Sequence, residues 1–271
     1  MVSNRSAIPW PPKHDVCGVG ISKTSYGEIV DILTGLARHG GTATVTPLAV
    51  HGLVTAGGDP GFGSKVNRLD IVAPDGQPVR WALNMLYGAH LDDRVYGPEL
   101  MWRLCKKAAD ENWGVYLYGS HRHVVERLKT NLVQRIEGLN VVGCEPSIFR
   151  PLTRKEDQAL VNRVNSSGAR LLFLGLGCPL QEAFASEHRS RIQAIQVCSG
   201  AAFDFHAGNK KTAPGWMQKR GLEWFFRLKE EPQRLWKRYL VTNTLFLFRF
   251  TRQFIRQKAI SQGTGTQRKA K

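Results

Sequence analysis

Apolar and β-branched residues gather in six short runs: Thr42–Thr46, Leu69–Ala73, Val115–Tyr118, Leu139–Gly143, Leu171–Leu176 and Ile195–Cys198. Their length and composition predict strands. Between them, Tyr26–Arg38, Pro98–Asp110, Arg122–Arg135, Lys155–Ser166 and Leu180–Ser190 repeat apolar residues at the three-to-four spacing of a helix. Alternation of this kind predicts an α/β fold, Rossmann-like, with a mostly parallel sheet and helices on both faces. The pattern changes after Gly208, where aromatic and basic residues mix and Pro232 separates two helical stretches. At about 100° per residue from Arg234, the side chains of Arg234, Arg238, Arg249, Arg252 and Arg256 share one arc of about 60°. Leu235, Trp236, Tyr239, Phe246, Leu247, Phe250 and Phe254 fall between about 100° and 220°. The prediction is a long amphipathic helix with an arginine stripe turned away from an aromatic face.

Charge sharpens that division. The chain has 271 residues and a net charge of +16, and 42% of it is hydrophobic, enough for a core. From Phe205 onward there are 16 lysines and arginines against three acids, so this last quarter holds +13 of the total. Its natural partner is anionic: a phosphate, a lipid headgroup or a nucleic acid. The five cysteines are widely spaced with no C-x-x-C pair, which reads as reduced thiols in a cytoplasmic protein. Met1–His14 carries three prolines and no apolar segment of the signal-peptide kind, and no run of about 18 apolar residues predicts a membrane span. G-x-G-x-x-G and P-loop patterns are both missing, so neither dinucleotide nor NTPase chemistry is signalled.

Several predicted strands end in glycine: Gly119, Gly143, Gly177 and Gly200. Turn chemistry alone accounts for any one of them, but four together favour a ligand crevice at the carboxyl ends of a parallel sheet. Asp75 follows the strand Asp70–Pro74 and precedes Gly76; a short acid there suits a general base, although Asp-Gly is also a common turn. Thr44 and Thr46 end the preceding strand and could meet an anion or a sugar, or serve only as β formers. Leu174–Glu182 combines a Gly-rich strand end with a helix start, whose amides and Gln181 could face a diphosphate. Asp204 could hold a ribose hydroxyl or cap a helix. His121 and His123 are the only close histidine pair, and there is no D-x-D, so no metal site is predicted and anionic charge falls to amides and arginines.

Taken together, these segments resemble the bacterial WecG/TagA/CpsF glycosyltransferases, over roughly Cys17–Leu247. The longest matches are Gly200–Gly208, Ala213–Leu228 and Glu231–Leu240, supported by Ala73–Gly76, Arg94–Leu100 and Gly177–Glu182. The resemblance implies inverting, metal-independent transfer of a sugar from a UDP-sugar to a polyprenyl-diphosphate-linked saccharide, with no cofactor. It places the family's proposed base on Asp75, its active-site threonine on Thr44, its motif glutamine on Gln181 and its appendage arginines on Arg227, Arg234 and Arg238. With Thr46, Arg94, Gly119, Gly177 and Asp204 these form the expected site. The chain departs from the family at Thr212, where Arg is usual, and at Thr46, where Asn is usual; the latter leaves the donor or acceptor open, with N-acetylmannosamine, its uronic acid and glucose all possible.

The expected organisation is an extension over 1–16, an α/β catalytic domain over 17–208, a basic helical appendage over 209–258 and a disordered tail over 259–271. The expected partners are the UDP-sugar, the lipid-linked acceptor and an anionic membrane surface on the cytoplasmic face of the bacterial plasma membrane, with a homo-oligomer left open and no nucleic acid. The rival reading is a non-enzymatic α/β protein that binds nucleic acid through its basic end.

Overall fold

The computed structural model describes residues 8–268, with side chains as far as Ile260. Six parallel strands form the central sheet: β3 (Thr44–Leu48), β4 (Ile71–Pro74), β5 (Gly114–Gly119), β6 (Asn140–Glu145), β7 (Ala169–Gly175) and β8 (Ile195–Cys198). Their order is β4-β3-β8-β7-β5-β6, and every neighbouring pair is parallel. Pleating sorts the side chains. Tyr116, Tyr118, Leu172 and Leu174 join one apolar core; Val115, Leu117, Leu171, Phe173, Ile195 and Val197 join the other. The first core is closed by α2 (Val50–Gly58), α3 (Pro60–Asn67), α4 (Gln77–Tyr87), α7 (Arg154–Ser166) and α8 (Leu180–Glu187). The second is closed by α1 (Tyr26–Arg38), α5 (Gly97–Asp110), α6 (Arg122–Arg135) and α9 (Ala202–His206). The predicted α/β class, with helices on both faces, is what the chain adopts.

The N-terminal boundary differs from expectation. β1 (Lys13–Val16) and β2 (Val19–Ser22) form an antiparallel hairpin, turning at Cys17 and Gly18 with φ of 54° and 89°. Val72 on the edge strand β4 donates its N–H to Ser22 Oγ at 3.0 Å, which ties this hairpin to the sheet. A division at residue 16 would therefore cut one supersecondary unit in two. Gly143 is also corrected: it lies inside β6, not at its end. A Cβ there would come within 2.0 Å of the Tyr116 ring, so the glycine makes room for an aromatic from β5. We expect Gly143→Ala to cost about 1–3 kcal/mol by overpacking, read as a lower urea midpoint with an unchanged slope.

After α9 the chain forms α10 (Gly215–Lys219), α11 (Glu223–Glu230) and α12 (Pro232–Arg268). Pro232 opens α12, where its missing N–H leaves no helical bond unmade. The helix runs on to Arg268, so the expected disordered tail is helical that far, and 269–271 lie outside the described residues. Phe246 and Phe250 pack on the α2–α4 side of the body, and Arg249 Nη1 donates to the Val54 carbonyl at 2.9 Å. The expected arginine stripe thus does not face outward as a unit. Arg234, Arg252 and Arg256 are exposed, and so are the apolar Trp236, Leu240, Val241, Leu247, Phe248 and Ile255. Among the described residues, no helix is long and apolar enough to cross a membrane.

Candidate active site

At the carboxyl ends of the strands, β3 and β7 send their chains to α2 and α8 on one face, while β8 turns to α9 on the other. This divergence opens a crevice, as sheet topology requires at a switch point. The crevice has a volume of about 870 Å³. Gly175–Cys178 and Ser199–Ala201 form its floor, Asp204 and Phe205 one wall, and α11 and α12 its cover. Phe226, Arg227, Arg234 and Arg238 reach it from that cover, and Lys210 and Lys211 from the loop after α9.

Asp75 stands one residue beyond β4 and borders the crevice. Its N–H donates to the Leu48 carbonyl at 3.2 Å, which fixes the turn. The Gly97 N–H, at the start of α5, donates to its carboxylate. Arg94 Nη1 lies 3.9 Å from Oδ1, while Nη2 of the same guanidinium pairs with Glu223. Glu223 in turn accepts from Arg227 Nη2 at 2.8 Å, and Arg227 also donates to the Tyr96 hydroxyl at 3.3 Å. Arg94 sits over the Tyr96 ring and Arg227 over the Phe205 ring, at 4.5 and 5.0 Å. The result is a charge chain, Asp75–Arg94–Glu223–Arg227, that binds the appendage to the body.

Desolvation dominates at Asp75: it pushes the carboxyl up to about 6, with Arg94 pulling down and Glu223 pushing further up. Burial would also raise Glu223, but Arg227 and Arg94 outweigh it and hold that carboxyl below its ordinary range. Asp75 therefore has the poise of a base near neutrality, while Glu223 stays ionised. Removing the Glu223 charge should act on this poise. In Glu223→Gln, Arg94 is left with Asp75 as its carboxylate partner, so the acid limb of kcat/KM should move to lower pH.

A second network sits beneath the floor. Gln181 Oε1 accepts the Gly177 N–H at 3.2 Å, and its Nε2 donates to Glu182 Oε1 at 3.0 Å. Glu182 Oε1 also accepts from Thr46 Oγ1 at 3.0 Å. Gln181 and Gly177 line the crevice, while Thr46 lies in mid-strand and bonds Glu182 and Cys198, both of which border it. Burial pushes the Glu182 carboxyl up, and it pushes up the Cys178 and Cys198 thiols too, which argues against a thiolate nucleophile.

Thr44 requires correction. β3 begins at Thr44 rather than ending near it, so this residue lies at the opposite end of the sheet from Asp75. Its hydroxyl and N–H both donate to Asp70 Oδ2 at 2.9 Å, a buried structural tie with no route to the crevice. Gly119 is not on the crevice surface either; its φ of 132° and the Gly175 backbone pressed against it make it a packing glycine, and Ser120 takes the lining position. Asp204 lines the wall and pairs with Lys210 at 3.7 Å, and its place within α9 gives it no capping role. Arg227, Arg234 and Arg238 all line the crevice, Arg234 at its rim, half-exposed and bonded to Glu231. Arg94 lies behind Asp75, on the appendage side.

The sequence reading missed His51, Tyr96, Glu182, Glu223 and Lys210. His51 follows the end of β3 in the first turn of α2, and Glu223 is one of three acids in a strongly basic quarter, four residues before Arg227. Those positions were signals available from the chain.

A family model described as "Glycosyl transferase WecG/TagA/CpsF family" matches residues 14–260. Among curated proteins, the chain is similar to an N-acetylglucosaminyldiphosphoundecaprenol N-acetyl-beta-D-mannosaminyltransferase of Bacillus spizizenii. The two are 29% identical over 183 residues, which covers 67% of this chain and 68% of the relative.

Proposed function

Because the chain belongs to the WecG/TagA/CpsF family of glycosyl transferases, we propose that it moves a sugar from a UDP-sugar to a polyprenyl-diphosphate-linked saccharide, with inversion, at a membrane surface. The observation that carries this reading is Asp75, a carboxyl poised at about 6 where the cationic crevice meets the appendage. The acceptor hydroxyl attacks the anomeric carbon from the face opposite UDP, and its proton passes to Asp75. The bond to UDP breaks, and its electron pair leaves with the β-phosphate. Arg227, Arg238, Lys210 and the crevice amides stabilise the charge that develops there. The relative's name makes N-acetylmannosamine the first donor to try. Leu240, Leu247 and Phe248, exposed along α12 with Lys237 and Arg252 beside them, support attachment to an anionic bilayer from one side.

UDP release from a panel of UDP-sugars, with N-acetylglucosaminyldiphosphoundecaprenol as acceptor, tests the reading. Release that depends on the acceptor and ignores added RNA or DNA supports it; nucleic-acid binding with no release favours the rival. The acid limb of kcat/KM should fall near pH 6, since the base works only after losing its proton. EDTA should leave the rate intact: the described residues bring no group of three or more His, Cys, Asp or Glu together, and cations border the crevice instead. A rate lost to EDTA and restored by Mg²⁺ or Mn²⁺ would contradict this.

A further inference from the structure

A second cavity, of about 520 Å³, lies on the other side of Asp75, between α4 and the pair α11–α12. The two cavities share a wall: Ala49, His51, Asp75, Tyr96, Arg227 and Arg238 border both. Their linings are opposite in character. The crevice is rimmed by lysines and arginines, while the second cavity is walled by Pro78, Trp81, Ala82, Met85, Phe246 and Phe250. Apolar residues at its mouth are exposed: Trp81 by 41%, Met85 by 56% and Leu247 by 60%. An open apolar channel of this kind is not packing left unfinished, because its inner end is polar and charged.

At that inner end, Arg238 Nε and His51 Nδ1 are buried and have no hydrogen-bond partner among the described residues. Burial, with Arg238 nearby, lowers the His51 pKa, so its imidazole is a neutral hydrogen-bonding group near pH 7. Arg227 closes the same end with its guanidinium held in place by Glu223 and Tyr96. A ligand matching the whole channel has a long apolar chain, a strongly anionic link and a hydroxyl-bearing group that reaches Asp75. A polyprenyl diphosphate carrying a sugar is such a molecule.

Resting on the function proposed above, we infer that the α4–α12 channel is the acceptor's entry. The first isoprene units lie along Trp81, Ala82 and Phe246, the diphosphate meets His51 at the inner end, and the sugar hydroxyl reaches Asp75 from the side opposite the donor crevice. Leu247 belongs both to the channel mouth and to the exposed apolar face of α12. The rest of the chain can therefore pass from channel to bilayer without crossing water, which would cost free energy for every methylene exposed.

The test compares two acceptors with the same sugar diphosphate, one on undecaprenol in detergent micelles and one on a short alkyl chain. Ala82→Trp fills the channel from its buried wall, and Met85→Glu charges its exposed mouth, where a fold defect is not expected. Each should raise KM for the undecaprenyl acceptor about tenfold, the scale of losing a few buried methylenes. KM for the short-chain acceptor and for the UDP-sugar should stay within about twofold, well below the tenfold that 1.4 kcal/mol represents. An equal rise for both acceptors, or no rise in Met85→Glu, overturns the channel assignment. Wild-type protein that glycosylates neither acceptor overturns the underlying function instead, so the two failures are distinguishable.

Discussion

Asp75→Asn should lower kcat by about 10²–10⁴, the loss that follows removal of a positioned general base, while leaving donor affinity nearly unchanged. The same substitution should make the protein more stable at alkaline pH. Burial raises this carboxyl from 3.8 to about 6, so below pH 3.8 it is neutral whether folded or not, and contributes no penalty. As pH climbs through 6 the folded protein must hold a poorly solvated charge, and stability is lost. An amide avoids that. Thermal unfolding should therefore show Asp75→Asn melting above wild type at pH 8 and level with it at pH 3.5. A variant that loses both activity and stability at pH 8 would point to a structural ion pair with Arg94 in place of a base.

Arg238→Ala should lower kcat by about 10²–10³, comparable to removing one preorganised donor from a developing oxyanion. Arg234→Ala should cost less than about tenfold, the range of an exposed and screened charge. Both arginines belong to α12 and both line the cationic crevice. Arg234 is half-exposed and already bonded to Glu231, however, while Arg238 has a buried Nε with no partner among the described residues. Steady-state rates at saturating donor, measured for both variants and for Arg238→Lys, separate a directed contact from general positive charge. If the two alanine variants lose the same factor, the appendage works as a diffuse field.

The body of the fold was legible because each strand carries enough β-branched and apolar residues to be seen alone, and Ile195–Cys198, Tyr26–Arg38 and Arg122–Arg135 have the expected bounds. The hairpin β1–β2, with four-residue strands, and the Gly-rich helices α2 and α3 were too short or too weakly periodic to show. Thr44 was misplaced because Pro47 reads as a strand stop. Here β3 continues through Pro47 to Leu48, since its pairing with β8 ends at Val45 and the missing N–H breaks no bond to that neighbour. The appendage was read correctly as helical but turned the wrong way. Apolar residues occur almost all round α12, so periodicity cannot choose the buried face. Local partners choose it: the Val54 carbonyl for Arg249, the crevice for Arg238, and Asp15 and Cys17 for Gln253. Glu223 was invisible as a site residue because its meaning depends on Arg94, 129 positions earlier.

The clasp between the hairpin turn and α12 has a consequence for how the protein is made. Gln253 Oε1 accepts the Cys17 N–H at 2.8 Å, and its Nε2 donates to the Asp15 carbonyl at 2.8 Å. All eight described strands precede α11 and α12 in the chain, so during translation the sheet and its empty crevice can assemble before Glu223, Arg227 and Arg238 leave the ribosome. A nascent chain stalled near residue 210 would hold Asp75 without the cations and apolar wall that give it a purpose. It would also present bare the α2–α4 surface that Phe246 and Phe250 later cover. On the proposed function, catalytic competence would therefore arrive late, once α12 closes onto the β1–β2 turn.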